Sequence, residues 1–343
     1  MSFKDVLGHD RQVEVLRRNI ATGQIPPTYL FHGDEGIGKR LVAHEFAKAV
    51  NCTGEAGPAD SCGVCQNCRN IESGCHPNIS MLRLEVNEKT DKMRQEIVID
   101  QVRAAQDFLC LKAVGTGRKV LVVDGAHQMN EEAANAFLKT LEEPPENSHV
   151  ILISSRPSRL LPTIHSRSRS ISFQPLGEGL VAGLLMDRAG MSRADAEFVA
   201  RMSGGRVGSA LAADPAELMS RRAGFVKMLG GLASVGYGHA LKEAEGLAKK
   251  EGAAEDFVFF GTTWFRDLLV ILVGGRPGLA YNTDIGDELA RWSGVMTAYR
   301  CEEALALLKE AGLALERTFN RRLLAEDLFF RLKEEVLPDG GPR

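Results

Sequence analysis

A chain of 343 residues is longer than one hydrophobic core ordinarily organises, so two or three domains are expected. Apolar residues make up 44% and charged residues 25%, a balance that excludes disordered and fibrous classes and fits a soluble globular protein. A formal net charge of -3 excludes a broadly cationic surface, so any nucleic-acid contact has to be local.

The first residues, MSFKDVLGHD, have no apolar run behind a basic start and do not read as a secretory signal. Residues 28–50 read as strand, glycine loop and helix. TYLFHG is short and β-prone, and Leu41, Val42, Glu45, Phe46 and Ala49 recur at helical spacing. Between them Gly33, Gly38 and Lys39 have the spacing G-x-x-x-x-G-K, with Gly36 inside it. Such glycines let backbone N–H groups converge on phosphate, and Lys39 would reach the β and γ phosphates. The next residue should offer a hydroxyl to Mg2+, but it is Arg40, a permanent donor with no lone pair for a metal. A glycine-rich turn that binds nothing would show the same spacing.

The chain has seven cysteines, and Cys52, Cys62, Cys65 and Cys68 cluster as C-x9-C-x2-C-x2-C. Four thiolates with no open position point to a structural zinc, and the Gly, Pro and Asp between Cys52 and Cys62 let the chain fold back. Free thiols or a redox pair are the other reading. Cys75 and His76 follow closely and could serve as substitute ligands, but the expectation is that they are bystanders, as are Cys110 and Cys301. The knuckle SCGVCQNCRN has one basic residue, Arg69, and no aromatic, which argues against DNA contact there.

Two further buried strands are expected at 119–126 and 149–155. The helix between them presents Ala134, Phe137, Leu138 and Leu141 on one face and stops at Pro144 and Pro145. Asp124 closes the first strand as a nucleotide-site acid would, but Gly125 stands where ATPases often carry the glutamate that orients water. Apolar strands alternating with helices predict a parallel sheet with helices on both faces. From about residue 176 the pattern is helical, through 194–205, 216–235 and most of 301–336. Residues 257–275 are the most apolar stretch. Arg266 and Asp267 near its middle make it a buried helix of a cytoplasmic protein rather than a membrane span. The tail LPDGGPR is expected to fray.

GDEGIGKRLVAHEFAKAVNC, the cysteine knuckle, AANAFLKTLEEPPENSHVILISS and LLPTIHSRSRSISF together resemble the AAA+ subunits of bacterial clamp loaders. The likeness continues through MSGGRVGSAL, WFRDLLVIL, NTD (282–284) and NRRLLAEDLFF, and so covers nearly the whole chain. It implies an α/β P-loop AAA+ domain at 1–174 with an inserted zinc knuckle at 52–68, a small helical lid at 175–213 and an all-α collar at 214–343. Arg167, within Ser166–Arg167–Ser168, matches the family's trans-acting arginine finger, although the family has Cys where this chain has Ser168, and Arg169 is a neighbouring competitor. Gly33, Gly36, Gly38, Lys39, Asp124 and Arg206 match nucleotide contacts for ATP or ADP. Arg206 could equally cap a helix. Ser154 and Ser155 fall at a sensor position, and Leu7 and Gly8 at the segment covering adenine.

The function so implied is a non-hydrolysing stator that helps load the sliding clamp onto primed DNA in replication. Its partners would be the gamma/tau ATPase subunits, the delta subunit, the sliding clamp and primer–template DNA, within a polymerase holoenzyme. No paired metal-binding carboxylates for nucleotidyl transfer are evident, so polymerisation would belong to the holoenzyme. The alternative is an ATP-hydrolysing motor subunit that uses Lys39 and Asp124.

Overall fold

The computed structural model describes residues 2–55, 57, 59–87, 92–234, 236–250, 252–315 and 320–338. The chain divides into two compact units, Met1–Ala212 and Ala213–Arg343.

The first unit is built on strands β1 (Thr28–His32), β2 (Ile79–Leu82), β5 (Lys119–Asp124), β6 (Ser148–Ser154) and β7 (Arg169–Ser172), with β3 (Val86–Asn87) and β4 (Lys92–Met93) forming a separate antiparallel ribbon. The main sheet is parallel in the order β2-β5-β6-β1-β7. Central β1 is held on both sides, Phe31 lying opposite Ile153 of β6 and Ile171 of β7.

Alternation along these strands sends successive side chains to opposite faces, and both faces are apolar. On one face Tyr29, Phe31, Val122 and Ile151 pack with Val13 and Leu16 of α1 (Asp10–Ala21) and Val42 and Phe46 of α2 (Lys39–Asn51). A short α3 (Gln66–Glu72) follows in the knuckle. On the other face Leu30, Leu121, Val123 and Leu152 pack with Val102 and Leu109 of α4 (Ile99–Cys110) and Phe137 and Leu141 of α5 (Glu131–Glu142). The α/β architecture expected from the sequence, a parallel sheet with helices on both faces, is therefore present.

The three expected strands are β1, β5 and β6, all central. The edge strands were not legible in the sequence. β7 buries only Ile171 of its four residues, and β2 buries only Leu82, so neither shows an apolar run. Helix α5 begins where Asn130 Oδ1 accepts the Ala133 N–H at 2.9 Å, and it buries Ala134, Phe137 and Leu141 as expected, whereas Leu138 is only partly buried.

Helices α6 (Pro162–Arg167), α7 (Glu178–Ala189), α8 (Arg193–Ser203) and α9 (Val207–Ala212) complete the first unit. α8 ends at Gly204 and Gly205, both left-handed. A Cβ on Gly205 would lie 2.4 Å from the Leu176 carbonyl oxygen, so the turn requires glycine.

The described part of the second unit consists of helices and short turns: α10 (Pro215–Ser234), α11 (Tyr237–Lys249), α12 (Ala253–Leu272), α13 (Gly286–Ser293), α14 (Ala298–Leu315) and α15 (Arg321–Arg331). The apolar stretch forms α12, which buries Phe257, Phe260, Trp264, Phe265 and Leu268. Asp267 is fully buried and stays paired, accepting the backbone N–H groups of Tyr281 and Asn282 and the Asn282 amide, each at 2.8 Å. Among the described residues no helix is long and apolar enough to cross a membrane. Pro58, inside the knuckle, and residues 339–343, where fraying was expected, lie outside the described residues.

Candidate functional site

The loop between β1 and α2 turns on three glycines in the left-handed region, Gly33, Gly36 and Gly38, with φ of 140°, 75° and 104°. A Cβ at Gly33 would sit 2.3 Å from the Phe173 carbonyl oxygen, which makes glycine obligatory. Lys39 is the first residue of α2 and is 5% exposed. Its ammonium donates to the carbonyls of Gly33, at 2.6 Å, and Asp34. Burial pushes the Lys39 ammonium below its ordinary range, and the carboxylates of Asp124 and Glu35 oppose that shift.

Arg40, one residue on, points at the acid of the site. Its Nη1 lies 3.5 Å from Asp124 Oδ2, at the end of β5. Gly125 follows at φ 82°, its N–H donating to the Ile153 carbonyl, and a Cβ there would fall 2.2 Å from Gln128 Oε1. A Mg2+ site needs oxygen ligands. Here the position after the lysine carries a guanidinium that engages the carboxylate of Asp124, so the donor set does not fit that ion.

These groups share a cavity of about 700 Å³ at the carboxyl ends of the strands. Glu35, Lys39, Arg40, His44, Arg83, Asp124 and His127 supply its charged and titratable lining, and Val207 and Gly208 of α9 close one side. α9 is tied to the loop directly, the Gly208 N–H donating to the Gly36 carbonyl at 2.8 Å. Behind the loop His9 is 2% exposed, bonds the Ile37 carbonyl through Nε2 at 2.7 Å and packs edge-on to Phe173. Gly8 lies against Leu176, and Leu7 is 41% exposed.

The structure thus brings Gly36, Gly38, Lys39 and Asp124 to one cavity, with Gly33 anchoring the loop. Arg206 lies beside Gly36, but its Nε donates to the Ser203 carbonyl at 3.0 Å, at the end of α8, the capping geometry. Ser154 is buried, and its hydroxyl accepts the Arg156 N–H at 3.1 Å. Ser155 faces the cavity 3.4 Å from His127 Nε2. Sequence reasoning passed over His9 and Gly208, which bond the loop, and His127, which bonds Ser155, because each acts through a contact distant in sequence.

Arg167 is elsewhere. It ends α6, is exposed, and does not line the cavity. Its Nη2 lies 2.6 Å from Glu142 Oε1, and its Nη1 donates to the Thr163 carbonyl at 3.1 Å.

The four clustered cysteines converge. Their sulfurs lie within 4.8 Å of one another, with Cys52–Cys65 at 3.9 Å and Cys62–Cys68 at 4.0 Å. Four sulfurs about 2.3 Å from a tetrahedral zinc would be about 3.8 Å apart, so the residues fit that ion. The knuckle is fastened to α2 by Lys48, fully buried, whose ammonium lies 2.8 Å from both Glu45 and Glu72. Asp60 fastens it to the N-terminal segment, accepting the Phe3 N–H at 3.0 Å. His44 joins Glu45 and Glu72 in a second cluster of potential ligands, but Lys48 already supplies its cation.

A family model described as DNA polymerase III, delta subunit, matches residues 8–177. The delta-prime subunit of DNA polymerase III from Pseudomonas aeruginosa is 44% identical over 139 residues, 40% of this chain and 40% of that one. The tau subunit from Escherichia coli is 36% identical over 168 residues, 48% of this chain and 24% of that one. The delta-prime subunit from Bacillus subtilis is 27% identical over 344 residues, 94% of this chain and 96% of that one. Residues 8–177 thus resemble the DNA polymerase III delta-subunit family, and all three of these relatives are DNA polymerase III subunits. Of these three relatives the delta-prime subunit of Bacillus subtilis aligns over more than nine-tenths of both chains. The matches to the Pseudomonas and Escherichia subunits span less than half of those proteins. At its phosphate loop the present chain carries Arg40, and Gly125 follows its acidic strand.

Proposed function

We propose that the chain is a non-hydrolysing stator of a bacterial clamp loader, of the delta-prime type, which helps place a sliding clamp on primed DNA and lends Arg167 to a neighbouring ATPase subunit. One observation carries the reading: the guanidinium of Arg40 stands over Asp124, beside a left-handed Gly125. Metal ligation and water activation are both replaced, while the glycine loop and Lys39 that contact phosphate are retained. Arg167 supports the trans role because it lies on the surface, away from the chain's own cavity.

In this reading 1–174 is the AAA+ domain, 175–213 the lid and 214–343 the collar through which subunits assemble. The knuckle at 52–68 holds a structural zinc through Cys52, Cys62, Cys65 and Cys68. The partners are gamma/tau-type ATPase subunits, a delta subunit, the sliding clamp and primer–template DNA, in the cytoplasm.

Reconstitution with the motor subunits tests the proposal. Arg167→Ala should lower clamp loading at least about tenfold, given that an arginine finger contributes about 10^3 to 10^5 in GTPases. The isolated chain should show no ATP turnover. Unchanged loading by Arg167→Ala would remove the finger assignment. Turnover abolished by Lys39→Ala would make this chain a motor.

A further inference from the structure

The proposed stator keeps a phosphate loop, and the cavity's chemistry indicates what that loop holds. In a hydrolysing site a divalent ion neutralises both the acidic residue and the phosphate chain. Here the acid is already paired, Arg40 Nη1 standing 3.5 Å from Asp124 Oδ2. Arg40 remains 61% exposed in its side chain, and it lines the cavity together with Lys39, Arg83 and His127. Three permanent or near-permanent cations thus face two carboxylates, Glu35 and Asp124, so the lining carries a net positive charge before any metal enters. His127 adds a ring whose Nδ1 is buried without a hydrogen-bond partner.

The cavity's shape narrows the ligand. Its volume of about 700 Å³ is ample for a phosphate chain. Its lining runs from the loop toward Met81, Arg83 and Leu84 and does not include Gly8, His9 or Leu176. Those residues fill the ground behind the loop, where His9 bonds the Ile37 carbonyl and approaches Gly38.

We propose that this cavity binds the phosphate chain of a nucleotide without a divalent metal, Arg40 serving as the built-in cation and the base contributing little. A planar guanidinium presents several donors in one plane and can bond phosphate oxygens while it screens Asp124. Lys39 then exchanges the Gly33 and Asp34 carbonyls for phosphate oxygens. No bond is made or broken, and the bound nucleotide acts as a prop under the lid helix α9. This rests on the reading that the loop still holds phosphate.

Calorimetric titration of the full chain with ATP tests it, in buffer freed of divalent ions by resin. EDTA is unsuitable because it would strip zinc from the knuckle. Affinities with and without added Mg2+ should agree within about threefold, and inorganic tripolyphosphate should displace ATP with an affinity within about tenfold of it. Arg40→Thr, which supplies the hydroxyl, should weaken metal-free binding at least about tenfold and make binding depend on Mg2+. Lys39→Ala should abolish binding in either buffer. Binding by the wild-type chain that requires Mg2+, or that tripolyphosphate cannot displace, overturns the inference alone. Absence of ATP binding in both buffers, by protein whose circular dichroism shows it folded, overturns phosphate retention itself.

Discussion

Arg167 Nη2 lies 2.6 Å from Glu142 Oε1, so the proposed finger is folded back on its own subunit, its other terminal nitrogen on the Thr163 carbonyl. The pair is partly exposed, with 34% and 49% of the two side chains accessible, and such pairs contribute about 0 to 1 kcal/mol. A neighbouring triphosphate, with its greater charge, would win the guanidinium. Glu142→Ala should therefore leave the chain's stability within about 0.5 kcal/mol and change clamp loading by no more than about fivefold. Arg167→Ala should cost far more. Urea melts and loading rates on the same preparations check both.

Restoring the missing glutamate should not restore hydrolysis. Position 125 has φ 82°, where a side chain costs about 1 to 2 kcal/mol, and its Cβ would collide with Gln128. Gly125→Glu, alone or with Arg40→Thr, should lower stability by about that amount and yield no ATP turnover. Turnover near that of a motor subunit would show that the backbone relaxes.

Metal removal should loosen the knuckle before the sheet. Zinc contributes about 10 to 16 kcal/mol to small finger peptides, and here the knuckle is fastened to α2 through Lys48 and to Phe3 through Asp60. One zinc per chain is expected by elemental analysis. Chelation, or Cys65→Ser, should raise amide exchange in 60–72 first and lower Tm by at least about 4 °C. Protein that lacks zinc yet keeps these amides protected would count against the assignment.

Acid should destabilise the fold through His149. The ring is 3% exposed, its Nδ1–H donates to the Pro26 carbonyl and its Nε2 accepts from Arg118, so the folded state holds it neutral. Burial pushes its pKa down to about 4. A folded value below the unfolded 6.5 means that the unfolded chain takes up the proton first. The stability it supports is complete above pH 6.5 and lost as pH falls toward 4. A shift of that size corresponds to about 3 kcal/mol. His149→Gln should flatten the decline in urea midpoint between pH 7 and 4.5 by a measurable part of that.

Local chemistry was legible in the sequence alone. The glycine spacing with Lys39 and the four cysteines each lie within a short stretch, and the central strands β1, β5 and β6 are apolar runs buried on both faces. The substitution of Arg40 and Gly125 for a metal ligand and a water-orienting acid was equally visible, because it depends on residue type. Tertiary structure alone decided where those groups point: Arg40 onto Asp124, Gly208 onto Gly36, Arg167 onto Glu142. Edge strands β2 and β7 likewise emerged only there, since an edge is defined by its neighbour's hydrogen bonds and needs little apolar character of its own. Contacts between residues far apart in the chain leave no periodicity to read. The packing of the sheet against its helices, which brings them together, determines which retained groups face the cavity.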